Sequence, residues 1–198
     1  MSVDIIKVDQ QTCLGKKPLL EINDGIWIAG GAIRQWFVGN EKSTDIDVFG
    51  KTQESLDTFV TNNLKGCRLL TYRENLRSYD YKGTMVQVIT YDFYENVEAL
   101  LDSFDFNVCQ FAYDGKEVYS TVSAITSVLR NHLGVHKITP PLVADSLRRA
   151  FKYQEKGYKP CLGTIQKLGE SFSGVSKEEI QSQISISPGG GMRFVGVD

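Results

Sequence analysis

The chain has 198 residues, 41% of them apolar and 23% charged, which suits one compact domain or a domain with an appendage and excludes a disordered chain as the starting assumption. A formal net charge of -2 gives no global attraction to nucleic acid or anionic lipid, so any polyanion must be held by a local patch. The four cysteines, Cys13, Cys67, Cys109 and Cys161, are widely spaced, with neither zinc-site pairing nor disulfide density, and point to a reducing setting.

Taken in chain order, "MSVDIIKVDQQ" carries an acidic residue where a signal peptide needs a basic end, and no later window approaches a membrane span. A soluble, cytoplasmic protein is the expectation. The segment around Leu19 and Leu20 predicts a short helix, Asn23 to Gly25 a turn, and Ile26 to Ala29 a buried strand ended by Gly30-Gly31. Apolar residues at 32, 33, 36 and 37 then predict a helix burying one face, stopped at Gly39-Asn40.

"STDIDVFG" reads as a second strand, with Ile46 and Val48 on one side and Asp45, Asp47 and Phe49 on the other. A helix is expected in "SLDTFVTNNL", strands in "CRLLTY" and "TMVQVITYDF", and a helix in "ENVEALLDSF". "FDFNVCQFAYDGKEVYS" suggests a strand, an Asp114-Gly115 turn and a return strand. Beyond this the pattern becomes helical, in "STVSAITSVLRNHLG" and, past Pro140-Pro141, in "LVADSLRRAFKYQEKGY". The expected division is a domain over 1–120 and a helical segment over 121–198, whose glycine run in "SISPGGGMRFVGVD" reads as a hinge before a terminal strand or a frayed end.

Two carboxylates at i and i+2 of a strand point the same way, roughly 6.5 to 7 Å apart, close enough to share hard cations. Glycine at a strand-to-helix junction lets a phosphate approach the amides at the helix start. Together with Arg34 one turn into that helix, the pattern describes a site for a nucleoside triphosphate and Mg²⁺.

In order and spacing, "LLEINDGIWIAGGAIRQWFVGNEKSTDIDVFG" resembles the start of the polymerase β type nucleotidyltransferase fold, in particular the head of class II CCA-adding enzymes and bacterial poly(A) polymerases. The resemblance implies an α/β (α+β) palm, a small mixed sheet flanked by helices, followed by a short helical neck. It implies that Asp45 and Asp47 hold Mg²⁺, and that Gly30, Gly31 and Arg34 cradle the phosphates of an NTP. "SFDFNVCQFAYDG" is similar to a family segment whose Asp lies near the nucleotide sugar, which nominates Asp105; Phe104, Asn107 and Cys109 depart from that pattern. "ADSLRRAFKYQEKGY" resembles the base-reading neck helix and nominates Asp145 and Arg148, with Ala144 in place of the family's Glu.

The implied activity is transfer of NMP from NTP to a hydroxyl, with RNA or a tRNA 3′ end the acceptor that the resemblance favours. Only some 80 residues follow the head, short of the helical regions with which CCA-adding enzymes grasp tRNA. A non-catalytic nucleotide- or RNA-binding module, and transfer to a protein or small molecule, are the rival readings. The strand "MVQVITYD" carries Gln87 where many members of the superfamily place a third carboxylate. Three arrangements follow: Asp92 or Asp105 substitutes, two carboxylates suffice, or catalysis has been lost.

His132 and His136 have a metal-sharing spacing for a helix, but Gly134 intervenes and no third ligand is adjacent, so they read as ordinary histidines. Arg148, Arg149, Lys152, Lys156 and Lys159, interleaved with Phe151, Tyr153 and Tyr158, form either a basic nucleic-acid or triphosphate contact or a solvated helix. "TYDFY" at 90–94 is either a base-stacking platform or core. The compact chain suits a viral or phage genome, and oligomeric state is not written in it.

Overall fold

A computed structural model describes residues 4–9, 20–39, 45–138 and 142–179. They fall into two compact units, one built from residues up to 102 together with 109–122, the other from 103–108 together with residues from 123 onward.

The first unit is an eight-stranded mixed sheet with helices. Its strands are β1 (Ile5–Asp9), β2 (Ile26–Ala29), β3 (Asp45–Gly50), β4 (Arg68–Arg73), β5 (Leu76–Tyr81), β6 (Thr84–Ile89), β7 (Phe111–Tyr113) and β8 (Glu117–Thr121), in the order β1-β8-β7-β2-β3-β6-β5-β4. Only β3 and β6 run parallel; every other neighbouring pair is antiparallel. The sheet is wider than the sequence suggested because β1 and β5 were not foreseen. In β5 the polar residues Arg77, Ser78 and Asp80 dilute the apolar signal.

Helix α1 (Gly31–Val38) follows β2, and α2 (Gln53–Asn63) follows β3. Both cover one face of the sheet. Trp36 and Phe37 of α1 meet Tyr113 and Phe111 of β7, with ring centroids 6.3 and 5.4 Å apart. Tyr113 is in register with Ile28. Asp57 of α2 is 2.7 Å from Arg77, which is in register with Val88. That face therefore carries Ile28, Val48 and Val88, each fully buried. Burial of such side chains contributes about 1.5–3 kcal/mol each.

Helix α2 starts from a capping box, in which the Thr52 hydroxyl accepts from the Ser55 amide and the Ser55 hydroxyl accepts from the Thr52 amide, satisfying two donors at the helix start. It packs so closely on the end of β3 that a Cβ at Gly50 would lie 2.6 Å from the Leu56 Cγ. Helix α3 (Val97–Ser103) buries Val97, Leu100 and Leu101.

The second unit contains a 3₁₀ turn (Asn107–Cys109, its last residue in the first unit), α4 (Val122–Leu129, which starts in the first unit), β9 (His132–Leu133), α5 (Val143–Glu155), β10 (Lys159–Pro160) and α6 (Leu162–Phe172). The helix expected through Leu133 stops at Leu129, because Asn131 takes a φ of 49° and the chain turns into β9, which pairs with β10 in parallel. Helix α6 escaped notice in the sequence because Gly163 and Gly169 interrupt it, each a weak helix former. Its buried Thr164 donates a hydrogen bond to the carbonyl of Leu133.

Other expectations changed as well. The strand expected from Phe104 begins only at Phe111, after the 3₁₀ turn, and the one expected to reach Phe93 ends at Ile89. Leu20 is buried in a bend; Leu19, Asn40, Pro140-Pro141 and the glycine run lie outside the described residues. No helix among the described residues is long and apolar enough to cross a membrane.

Candidate functional site

The face of the sheet opposite α1 and α2 carries a row of side chains set by register. Ala112 lies beside Ala29, Ala29 beside Asp47, Asp47 beside Gln87, and Gln87 beside Ser78. Partners across a ladder share a face, and Asp45 shares it too, two residues before Asp47. Asp45 is half-buried while Asp47 is 1% exposed. A buried carboxylate is costly to hold charged, so Asp47 is not one of two acids on a solvated edge.

The glycine pair has two separate roles. Gly30 takes a φ of 84°, a left-handed conformation that favours glycine, and it turns the chain from β2 into α1. Its amide donates to the Phe111 carbonyl at 2.8 Å, so the expected cradle loses Gly30 as a phosphate donor: pairing with β7 uses that hydrogen. Gly31 is the first helical residue, and no side chain caps this helix start. The amides of such a first turn lack carbonyl partners within the helix and favour an anion. Arg34, expected to meet phosphate, is 1% exposed on the same helix, where a guanidinium requires compensating charge or hydrogen bonds.

Gln87 is 2% exposed, and its Oε1 has no hydrogen-bond partner. Its Nε2 donates to the Met85 sulfur at 3.9 Å. Leaving an amide oxygen buried and unsatisfied costs about 1–3 kcal/mol. Asp92 is exposed beyond the end of β6, its Oδ1 accepting from the Phe93 amide at 2.9 Å. It follows the end of β6 that runs alongside Gly50, roughly 10 Å past Asp47 by strand rise.

The residues nominated for sugar and base lie in the second unit. The Asp105 Oδ1 accepts from the Phe106 amide at 2.9 Å and lies 3.2 Å from an Arg149 nitrogen, and its Oδ2 accepts from the Ser146 hydroxyl at 3.0 Å. Both oxygens are thus engaged. Asp145 and Arg148 pair with each other on α5, the guanidinium donating twice to Asp145 Oδ1 at 3.1 and 2.8 Å. Such a pair holds a carboxylate acceptor beside guanidinium donors.

Of the aromatic residues on the basic stretch, Tyr153 and Tyr158 are core, their rings 6.2 Å apart, and only Phe151 is exposed. In "TYDFY", Tyr94 is buried while Tyr91 and Phe93 are exposed. His132 lies on β9, not a helix, so the helical metal spacing with His136 does not arise. Sequence reasoning missed Cys161, the exposed N-cap of α6. Hydrogen bonds from Thr164 first, and from His132, hold its thiol down at a pKa of about 6. Among the described residues no group of three or more His, Cys, Asp and Glu side chains could hold a metal.

A family model described as Gabija anti-defense 2 family protein matches residues 4–131. The chain belongs to this family. A family relative named Gabija anti-defense 2, from Bacillus phage SPbetaL7, is 28% identical over 144 residues, covering 70% of this chain and 35% of that protein. Among solved structures, a CCA-adding enzyme with CTP is similar with a TM-score of 0.64 at 16% identity, over 90% of this chain and 50% of that one. The Thermotoga maritima CCA-adding enzyme complexed with tRNA gives 0.60 at 13% identity, over 93% and 50%. The fold is therefore that of the polymerase β type nucleotidyltransferases, as the sequence suggested. This member of the Gabija anti-defense 2 family spans about a third of the phage relative and about half of the CCA-adding enzymes.

Proposed function

We propose that the chain is a Mg²⁺-dependent nucleotidyltransferase that moves a nucleoside monophosphate from NTP to a hydroxyl, and that this transfer counters the Gabija defence for which its family is named. The observation that carries the reading is the placement of Asp45 and Asp47 on one face of β3, with Ala29, just before the Gly30-Gly31 bend, in register with Asp47. The donors suit the cation: two carboxylates and the amide oxygen of Gln87 are hard oxygen ligands, and that oxygen is buried with no hydrogen bond.

In this reading Asp45 and Asp47 hold Mg²⁺, which when bound activates an acceptor hydroxyl and neutralises triphosphate charge. The first-turn amides from Gly31 orient the phosphates, and Arg34 adds positive charge on the same helix. In the second unit, Asp145 and Arg148 are an acceptor and donors of the kind that suits the edge of a base, and Asp105, braced by Arg149 and Ser146, is the acid that the resemblance assigns to the sugar. Positioning and fixed charge supply the catalysis, with no covalent protein intermediate.

RNA or a tRNA 3′ end is the acceptor favoured by resemblance; a protein or small-molecule acceptor is the alternative that an anti-defence role admits. The neutral Gln87 favours a second reading, a module of the same fold that binds nucleotide and transfers nothing. Incubation with α-labelled NTPs, Mg²⁺ and separate pools of RNA, host protein and small acceptors distinguishes them. Label in one pool, lost in Asp45→Asn with Asp47→Asn, supports transfer; metal-dependent NTP binding without label supports the module.

A further inference from the structure

Gln87 is in register with Asp47 on the parallel strand β6, so the two side chains emerge side by side on the face that Asp45 also shares. A glutamine is one methylene longer than an aspartate, so its amide reaches further from the sheet than the neighbouring carboxylate. Ala29 on the other side of Asp47 and Ser78 on the other side of Gln87 are short, which leaves the acid and the amide as the long polar groups of that row. The Nε2 contact with Met85 turns the amide through a weak sulfur interaction, and Oε1 is left buried without a donor. Amide oxygens are ordinary ligands of hard divalent cations, contributing a dipole and no charge.

We infer that Gln87 Oε1 is a neutral third ligand of the cation held by Asp45 and Asp47, so that the three ligands supply two negative charges rather than three and the free protein takes up a single divalent ion. This rests on the reading of Asp45 and Asp47 as a cation pair. A third carboxylate would bring the charge to three and favour a second ion before nucleotide arrives. With an amide in that place, a second ion has too little charge to meet until a triphosphate brings its own. The substitution of glutamine for an acid then tunes the order of loading rather than abolishing the site.

Mn²⁺ titration of the whole chain, followed by electron paramagnetic resonance without nucleotide, tests this apart from activity. The expected result is one Mn²⁺ per chain. Gln87→Leu should weaken binding about tenfold through loss of one oxygen ligand, and Gln87→Glu should tighten it by a similar factor through added charge. Thermal melts establish that each variant is folded; should the buried glutamate of Gln87→Glu prevent folding, Gln87→Leu and Gln87→Met decide the matter. Loss of binding in Asp47→Asn, with Gln87→Leu unchanged or tighter than the parent, overturns the role of Gln87 and leaves the acid pair standing. No Mn²⁺ bound by the parent at millimolar concentration overturns both.

Discussion

The sheet face and the helical unit surround their acidic residues with different neighbours. In the helical unit Asp105 has both oxygens hydrogen-bonded, and Asp145 is held by Arg148 one turn along the same helix. On the sheet, Asp47 is buried beside a glutamine whose amide oxygen finds no donor. Carboxylates tied to a guanidinium build a scaffold, whereas an amide oxygen buried without a donor is an arrangement that folding alone does not reward.

The largest effect should come from the sheet. Asp47→Asn is expected to lower nucleotidyl transfer at least about 100-fold with little loss of stability, since it removes charge from a cation site and relieves a buried carboxylate. Steady-state assay beside a thermal melt checks both halves. Arg149→Met should do the reverse, costing about 3 kcal/mol in denaturant unfolding by stripping Asp105 of its partly buried partner. A stable Arg149→Met would break the contrast.

Gly50→Ala should destabilise by about 1–3 kcal/mol, because the new methyl meets Leu56 of α2 where that helix is clamped on the end of β3. Cys161 sharpens the picture of the helical unit. Its thiolate forms above about pH 6, so alkylation should proceed at full rate at pH 7 and above and fall about tenfold for each pH unit below 6. Mass spectrometry against buried Cys109, which should stay unlabelled in the folded protein, supplies the comparison. Asp145→Ala is the mildest, within about 1 kcal/mol in stability because its partner Arg148 is half exposed, yet it should flatten discrimination among the four NTPs.

How legible these features were in the sequence depends on how local their causes are. Alternation placed Ile46 and Val48 opposite Asp45 and Asp47, and a bend needing positive φ accounts for Gly30, because both follow from a few adjacent residues. The engagement of the Gly30 amide by Phe111 joins strands eighty residues apart, and no local pattern announces it. The position opposite Asp47 was anticipated as Gln87, but its unsatisfied oxygen appears only once register and burial are known. Strand β5, whose polar residues Arg77 and Ser78 are adjacent and break the alternation, and helix α6, interrupted by glycine, are held by their neighbours more than by their own propensities.

The most direct test supplies each NTP in two forms, labelled at the α- or the γ-phosphate, with Mg²⁺, folded protein and separate RNA, protein and small-molecule acceptors. Nucleotidyl transfer requires that α-label become covalently attached in one acceptor pool, that γ-label not do so, and that Asp45→Asn with Asp47→Asn abolish the attachment. Attachment of γ-label, or no attachment of α-label from any NTP to any pool, would contradict it.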